Sequence, residues 1–239
     1  MNNSLDLMNR DSRNKDRVQK IPKSLAFSHE EIKIHFRENI KYIEDSLKVL
    51  DNNKLNKEDE ANILRSRIMF LDSAIDFYMH EITKYGMKKM FDGQWKRNDK
   101  YLDFKINLDT LHTISELNER EFFNDVINKS ISSDTFMDFN SIKKQLNMIG
   151  LDINVISRAV FYEKGDNASP INKLKDFLNS LYYRRNRIAH QSDRDPATGR
   201  RGKIDKDFVK ININTVIDII SAIDDEIVKK DMFIEDEKL

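Results

Sequence analysis

Six glycines and three prolines in 239 residues leave this chain very few places where a helix has to stop. So low a density of breakers predicts long uninterrupted helices and an all-α fold, and signals for strands are correspondingly thin. Ser28 reads as an N-cap with Glu31 three residues on, a capping box that opens a helix running to about Leu50. Its apolar positions Ile32, Phe36, Ile40, Ile43 and Leu47 recur at helical spacing, with Ile34 off the stripe.

From about Lys57 to Gly86 the pattern is the most regular in the chain. Leu64, Ile68, Leu71, Ile75, Tyr78, Ile82 and Tyr85 alternate four and three apart, and Met69, Phe70, Ala74 and Phe77 supply a second apolar face. This helix is therefore expected in the middle of a bundle. Its polar strip, Asp72, Ser73, Asp76, His80 and Thr83, either faces water or lines a cleft. Residues 87–109, with the single tryptophan Trp95, read as an irregular connection. Shorter helices are expected at about 110–129, 138–149 and 153–163, stopped by Gly150 and Gly165. Ser169 as N-cap and Pro170 as first helical residue open the next, whose apolar face is Ile171, Leu174, Phe177, Leu178, Leu181 and Tyr182. It ends at the turn-rich segment QSDRDPATGRRGK. A last helix carries Ile213, Ile217, Ile220, Ile223 and Ile227 as its stripe. The organisation expected is a flexible basic arm over 1–24, one helical domain over 25–230, and an acidic tail over 231–239.

Charge and composition narrow the function. The complete absence of cysteine excludes a disulfide framework, thiolate zinc sites, iron–sulfur clusters and a cysteine nucleophile. The N-terminus has no apolar signal-type segment, and no apolar run approaches the roughly 18 residues that span a bilayer, so a soluble, cytoplasmic protein without a membrane partner is expected. The 41 basic and 41 acidic side chains cancel, which by itself argues against nucleic acid. They are not evenly spread. Arg184 to Lys210 holds nine Lys or Arg against four Asp, and Ile211 to Leu239 holds three Lys against eight Asp or Glu.

The basic segment follows an unusual position. Extending the stripe of the 169–189 helix through Leu174, Leu178 and Leu181 brings it to Arg185 and then Ile188. A guanidinium directed along a core face stays charged, so it needs a carboxylate or a cavity holding an anion. Asp72 and Asp76 are the best acidic partners for it. Asn186 is its neighbour, and His190 lies one turn beyond Asn186, where the amide can orient the imidazole. A helix C-terminus decorated with cations that favour the macrodipole accounts for some of the same residues, Arg184 and Arg187 among them.

The segment LYYRRNRIAHQSD resembles the signature of HEPN-domain proteins, an arginine followed by a polar residue and, four to six positions from the arginine, a histidine. Arg185, Asn186 and His190 match it. The wider order of EIKIHFRENIKYIEDSL, LDSAIDFYMHEITKYG, FNSIKKQLNMIGLD and RRNRIAHQSD, over roughly residues 28 to 230, is similar to the RiboL-PSP group of that superfamily. The resemblance implies a HEPN-like helical bundle and cofactor-free, metal-independent RNA cleavage by a homodimer with a composite active site. Catalysis would fall to Arg185, Asn186 and His190, and RNA binding to Arg184, Arg187, Arg194, Arg200, Arg201 and Lys203, with Asp72 and Asp76 as supporting acids. It also implies a setting in toxin–antitoxin or antiviral defence, with an antitoxin or ATPase as possible partner. One departure stands out: where HEPN toxins paired with nucleotidyltransferases carry a modifiable tyrosine two residues after the histidine, this chain has Ser192. A non-catalytic RNA- or protein-binding module, or a structural subunit docking through its acidic tail, are the competing readings.

Overall fold

Asn56 opens the element around which everything else is arranged. Its side chain accepts the backbone N–H groups of Glu58 and Asp59, and Glu58, Asp59 and Glu60 place negative charge on the first turn of a 35-residue helix. A computed structural model describes residues 26–52, 55–106, 119–131 and 135–236 of the chain. In it the helices are α1 (His29–Asn52), α2 (Lys57–Phe91), α3 (Asp99–Leu102), α4 (Glu119–Ile131), α5 (Phe139–Met148), α6 (Ile153–Phe161), α7 (Pro170–Gln191) and α8 (Lys206–Asp236). No strand occurs among the described residues, only an isolated bridge between Arg194 and Arg201. The fold is all-α. The N-terminal arm, the start of the 110–129 helix and residues 237–239 of the expected tail lie outside the described residues.

Helix α2 is the hub: α1, α4, α5, α7 and α8 all pack on it, and α6 closes the bundle against α7 and α8. The expected stripe is buried from Leu64 to Ile82, with Ile68, Leu71, Tyr78 and Ile82 wholly inaccessible. Each such side chain contributes roughly 1.5–3 kcal/mol. The second apolar face is only half as expected, because Ala74 is buried while Phe70 is exposed beside Tyr42. On α7, Leu174, Leu178 and Leu181 are buried, and on α8 Ile213, Ile220, Ile223 and Ile227.

Two boundaries differ from the sequence reading, both through tertiary contacts. Gly86 does not end α2. The helix runs on to Phe91, and Gly86 is needed for close approach, since a Cβ there would lie 2.7 Å from Ile149 and 2.8 Å from the Trp95 ring. Trp95, read as part of a loose connection, is 2% exposed and hydrogen bonds through Nε1 to Asp231 at 2.9 Å. Asp231 also accepts the Tyr85 hydroxyl at 2.8 Å, so residues 231–236, read as part of a tail, continue α8. Lys230 donates to the carbonyls of Ile149 (2.5 Å) and Gly150 (3.3 Å) at the end of α5, with its ammonium 4.6 Å over Trp95. Burial pulls its pKa down to about 8. Among the described residues no helix is long and apolar enough to cross a membrane.

Gly86→Ala inserts a methyl into the Ile149–Trp95 contact. The expected cost is about 1–3 kcal/mol, read as a lower urea midpoint at unchanged slope.

Candidate nucleic-acid site at the end of α7

The end of α7 is held by an unusual cap. Ser192 (φ 51°) and Asp193 (φ 59°) are consecutive non-glycine residues in the left-handed region, and the Asp193 N–H reaches back to the Arg187 carbonyl at 2.9 Å. Such backbone persists where surrounding contacts over-determine it. Here the determinant is the Asp193 carboxylate, which is fully buried. Its Oδ2 accepts from Arg65 Nε of α2 at 2.8 Å and from an Arg184 terminal nitrogen at 2.7 Å, and its Oδ1 accepts from Arg187 Nε at 3.0 Å. Arg65 also donates to the Gly202 carbonyl (2.9 Å) and Arg184 to that of Lys203 (3.0 Å), so the returning loop is tied to the same cluster. Three guanidiniums on one carboxylate leave two formal positive charges over. Burial holds Arg184 below the ordinary guanidinium pKa, and its cationic neighbours Arg187 and Arg65 add to that effect while Asp193 opposes it.

Arg185 points the other way around the helix. Its Nε lies 3.1 Å from Asp72 Oδ2, while one terminal nitrogen donates to Asn186 Oδ1 at 3.0 Å. The Arg185–Asp72 contact is an ion pair in distance but not an aligned hydrogen bond, and both Asp72 oxygens and Arg185 Nε lack hydrogen-bond partners. Burial raises the Asp72 pKa to about 7, outweighing Arg185, with Asp76 adding to the rise. Asp76 does not reach Arg185 as an ion-pair partner. It accepts the Phe136 N–H at 2.7 Å and stands 3.7 Å from His80, whose ring packs on Phe136. The polar strip of α2 thus divides, with Asp72 and Thr83 buried and Ser73 in water. Asn186 spends its oxygen on Arg185, where the sequence suggested it would orient His190.

His190 is exposed and lines a wide groove of about 940 Å³ between α7 and the start of α8, together with Tyr183, Arg184, Asn186, Arg187 and Phe208. The Arg184 guanidinium lies 5.7 Å over the Phe208 ring. The other predicted RNA-binding residues occupy the loop beyond. Arg194 donates to the Gly199 carbonyl (2.7 Å), Arg201 pairs with Glu58 at 3.0 Å, and Arg200 and Lys203 are exposed. Asp195 shapes the loop tip by accepting the Ala197 and Thr198 amides and the Thr198 hydroxyl, and its pKa is lowered chiefly by the Thr198 bonds. Arg65 and Asp193 were missed by sequence reasoning. The available signals were an arginine directly after stripe residue Leu64 and an acid inside a cationic run. His29 meets Asp224 Oδ1 at 2.7 Å, as does the Tyr78 hydroxyl. Among the described residues no three His, Asp or Glu side chains are grouped to hold a metal ion.

Asp193→Ala leaves three guanidiniums around an empty centre. The expected loss is about 3–5 kcal/mol, measured by chemical denaturation, and well above that of Arg201→Ala on the exposed Glu58 pair. A second expectation concerns pH. With Asp72 raised to about 7, the folded chain retains a proton that the unfolded chain loses near pH 4, so this group's contribution to stability falls as pH rises from about 4 to 7 and is flat above. Asp72→Asn removes that slope. The variant is expected to match wild type at about pH 3.5 and to be the more stable at pH 8, by up to a few kcal/mol in urea titrations at the two pH values.

The RiboL-PSP-HEPN family model matches residues 34–229. No curated protein and no solved structure matches the chain. The family match spans α2 to α7, the Arg185–Asn186–His190 segment and most of α1 and α8, and on that extent the chain belongs to the RiboL-PSP-HEPN family of the HEPN superfamily.

Proposed function

We propose that this protein is a metal-independent endoribonuclease, acting as a toxin or effector in antiviral or toxin–antitoxin defence. The observation that carries the reading is the exposed His190 on the wall of a groove that Asn186, Arg184 and Arg187 also line, five residues beyond Arg185 on the same helix, in a chain of a family associated with ribonuclease activity. In the reaction the RNA 2′-hydroxyl attacks the adjacent phosphorus. The new P–O2′ bond forms as the P–O5′ bond breaks, leaving a 2′,3′-cyclic phosphate and a 5′-hydroxyl. Two protons have to move, one off O2′ and one onto O5′. An imidazole with an ordinary pKa of about 6.5 serves for either transfer. Two copies of the chain meeting with their grooves face to face supply one His190 as base and the other as acid.

Arg185 supplies positive charge for the phosphorane. For this it has to exchange Asp72 for phosphate. The exchange is eased because the pair is poorly aligned and burial raises the Asp72 pKa to about 7, so that a proton can take the place of the guanidinium near neutral pH. The two surplus charges of the Asp193 cluster and the exposed Arg200 and Lys203 add backbone affinity without sequence reading. An antitoxin or ATPase partner would hold the activity in check. Ser192, caught in the left-handed cap, leaves no tyrosine at that position for modification. A second reading, a non-catalytic RNA- or protein-binding module, draws on the inward engagement of Arg184, Arg185 and Arg187 by Asp193 and Asp72.

Purified protein with end-labelled RNA in excess EDTA is expected to yield cyclic-phosphate ends. His190→Ala should lower the rate by about 10²–10⁴-fold and Arg185→Ala by about 10²–10³-fold. RNA binding without cleavage, in the presence of candidate activators, would favour the binding module.

A further inference from the structure

The groove wall that carries His190 also carries an aromatic ring that the fold does not use. Tyr183 lies seven residues before His190, with Asn186 and Arg187 between them at steps of three and four, so the four side chains form one stripe up α7. Tyr183 is 68% exposed, whereas Phe177 on the same helix packs against the core. Among the described residues its only ring neighbour is Tyr182, at 5.7 Å and tilted by 52°. A ring in this position adds little to stability. It does provide a flat π face on a groove whose adjoining residues are cationic.

The pairing of a free ring with guanidiniums matches single-stranded nucleic acid, whose bases stack on aromatic side chains while phosphates meet arginine. The ring is flanked on the same wall by Arg184 and Arg187. RNA brings the opposite charge. We propose that Tyr183 is a substrate-stacking residue: its ring holds one nucleobase of the RNA, while Arg184 and Arg187 carry the phosphate beside it. This inference rests on the reading of the groove as an RNA site. Seven residues of helix rise about 10 Å, and a stacked strand advances roughly 3.4 Å per nucleotide. The base held by Tyr183 therefore lies within about three nucleotides of the phosphate cut at His190.

The test uses His190→Ala protein, so that binding is read without turnover, and two fluorescein-labelled RNAs of equal length, one ordinary and one with abasic residues at each of the internal positions. Adding Tyr183→Ala is expected to weaken the ordinary RNA on the order of tenfold and to leave the abasic RNA unchanged, while Tyr183→Phe keeps wild-type binding. Equal weakening on both RNAs, or none on either, overturns the proposal. So does a change of sedimentation state in Tyr183→Ala without RNA, which assigns the ring to a contact between copies. In the otherwise wild-type protein Tyr183→Ala should raise KM with a smaller effect on kcat. If the base-dependent binding loss appears but no RNA is ever cut, the nuclease reading fails and the stacking role stands. If RNA is cut and Tyr183→Ala behaves as wild type, the stacking role fails alone.

Discussion

The carboxylate of Asp193 is the interaction on which the functional end of this molecule depends. A buried ion stands or falls on complete partnering, and Asp193 achieves it by drawing on three elements at once, Arg65 from α2 and Arg184 and Arg187 from α7, while its own backbone joins the loop. The close of α7, the left-handed turn and the return of the chain toward α8 are all referred to that one point. The excess of guanidinium over carboxylate gives the same cluster a second property. It is a structural anchor that still presents positive charge to the neighbouring groove.

Two carboxylates thus divide the arginines of one helix between them in different ways. Asp193 is saturated with aligned hydrogen bonds, and its partners are fixed. Asp72 is buried with one poorly aligned partner and no hydrogen bond, and burial lifts it toward neutrality. Low dielectric strengthens the first arrangement and penalises the second. The same helix turn therefore holds a rigid pair of arginines beside a loosely held one.

Most of the helical framework was legible because its signals are local. The Ser28 and Ser169 caps and the stripes of α1, α2, α7 and α8 all follow from spacing along a helix. What was not legible depended on residues far apart in sequence. Gly86 resembles a helix stop until Ile149 and Trp95 are brought against it, and Asp231 looks like tail until it meets Tyr85 and Trp95. At the site, Arg185, Asn186 and His190 were found by spacing and resemblance, and Asp72 by its place on the polar strip. Arg65 and Asp193 were not, because 128 residues separate them and a pairing at that distance leaves no periodic trace. The same blindness left Arg184 and Arg187, read in sequence as RNA-binding residues or helix-end cations, without their shared carboxylate.

The left-handed pair that ends α7 also makes the helix into a ruler. Arg185 faces Asp72, and Asp193, eight residues on, is tethered at Arg65; both partners stand on α2. Between the two contacts the spacing is set by the helix, since adding or deleting one residue would turn everything beyond it by about 100°. The azimuth of His190 on the groove wall is thereby measured from both sides, so the histidine is aimed by length rather than by any contact of its own.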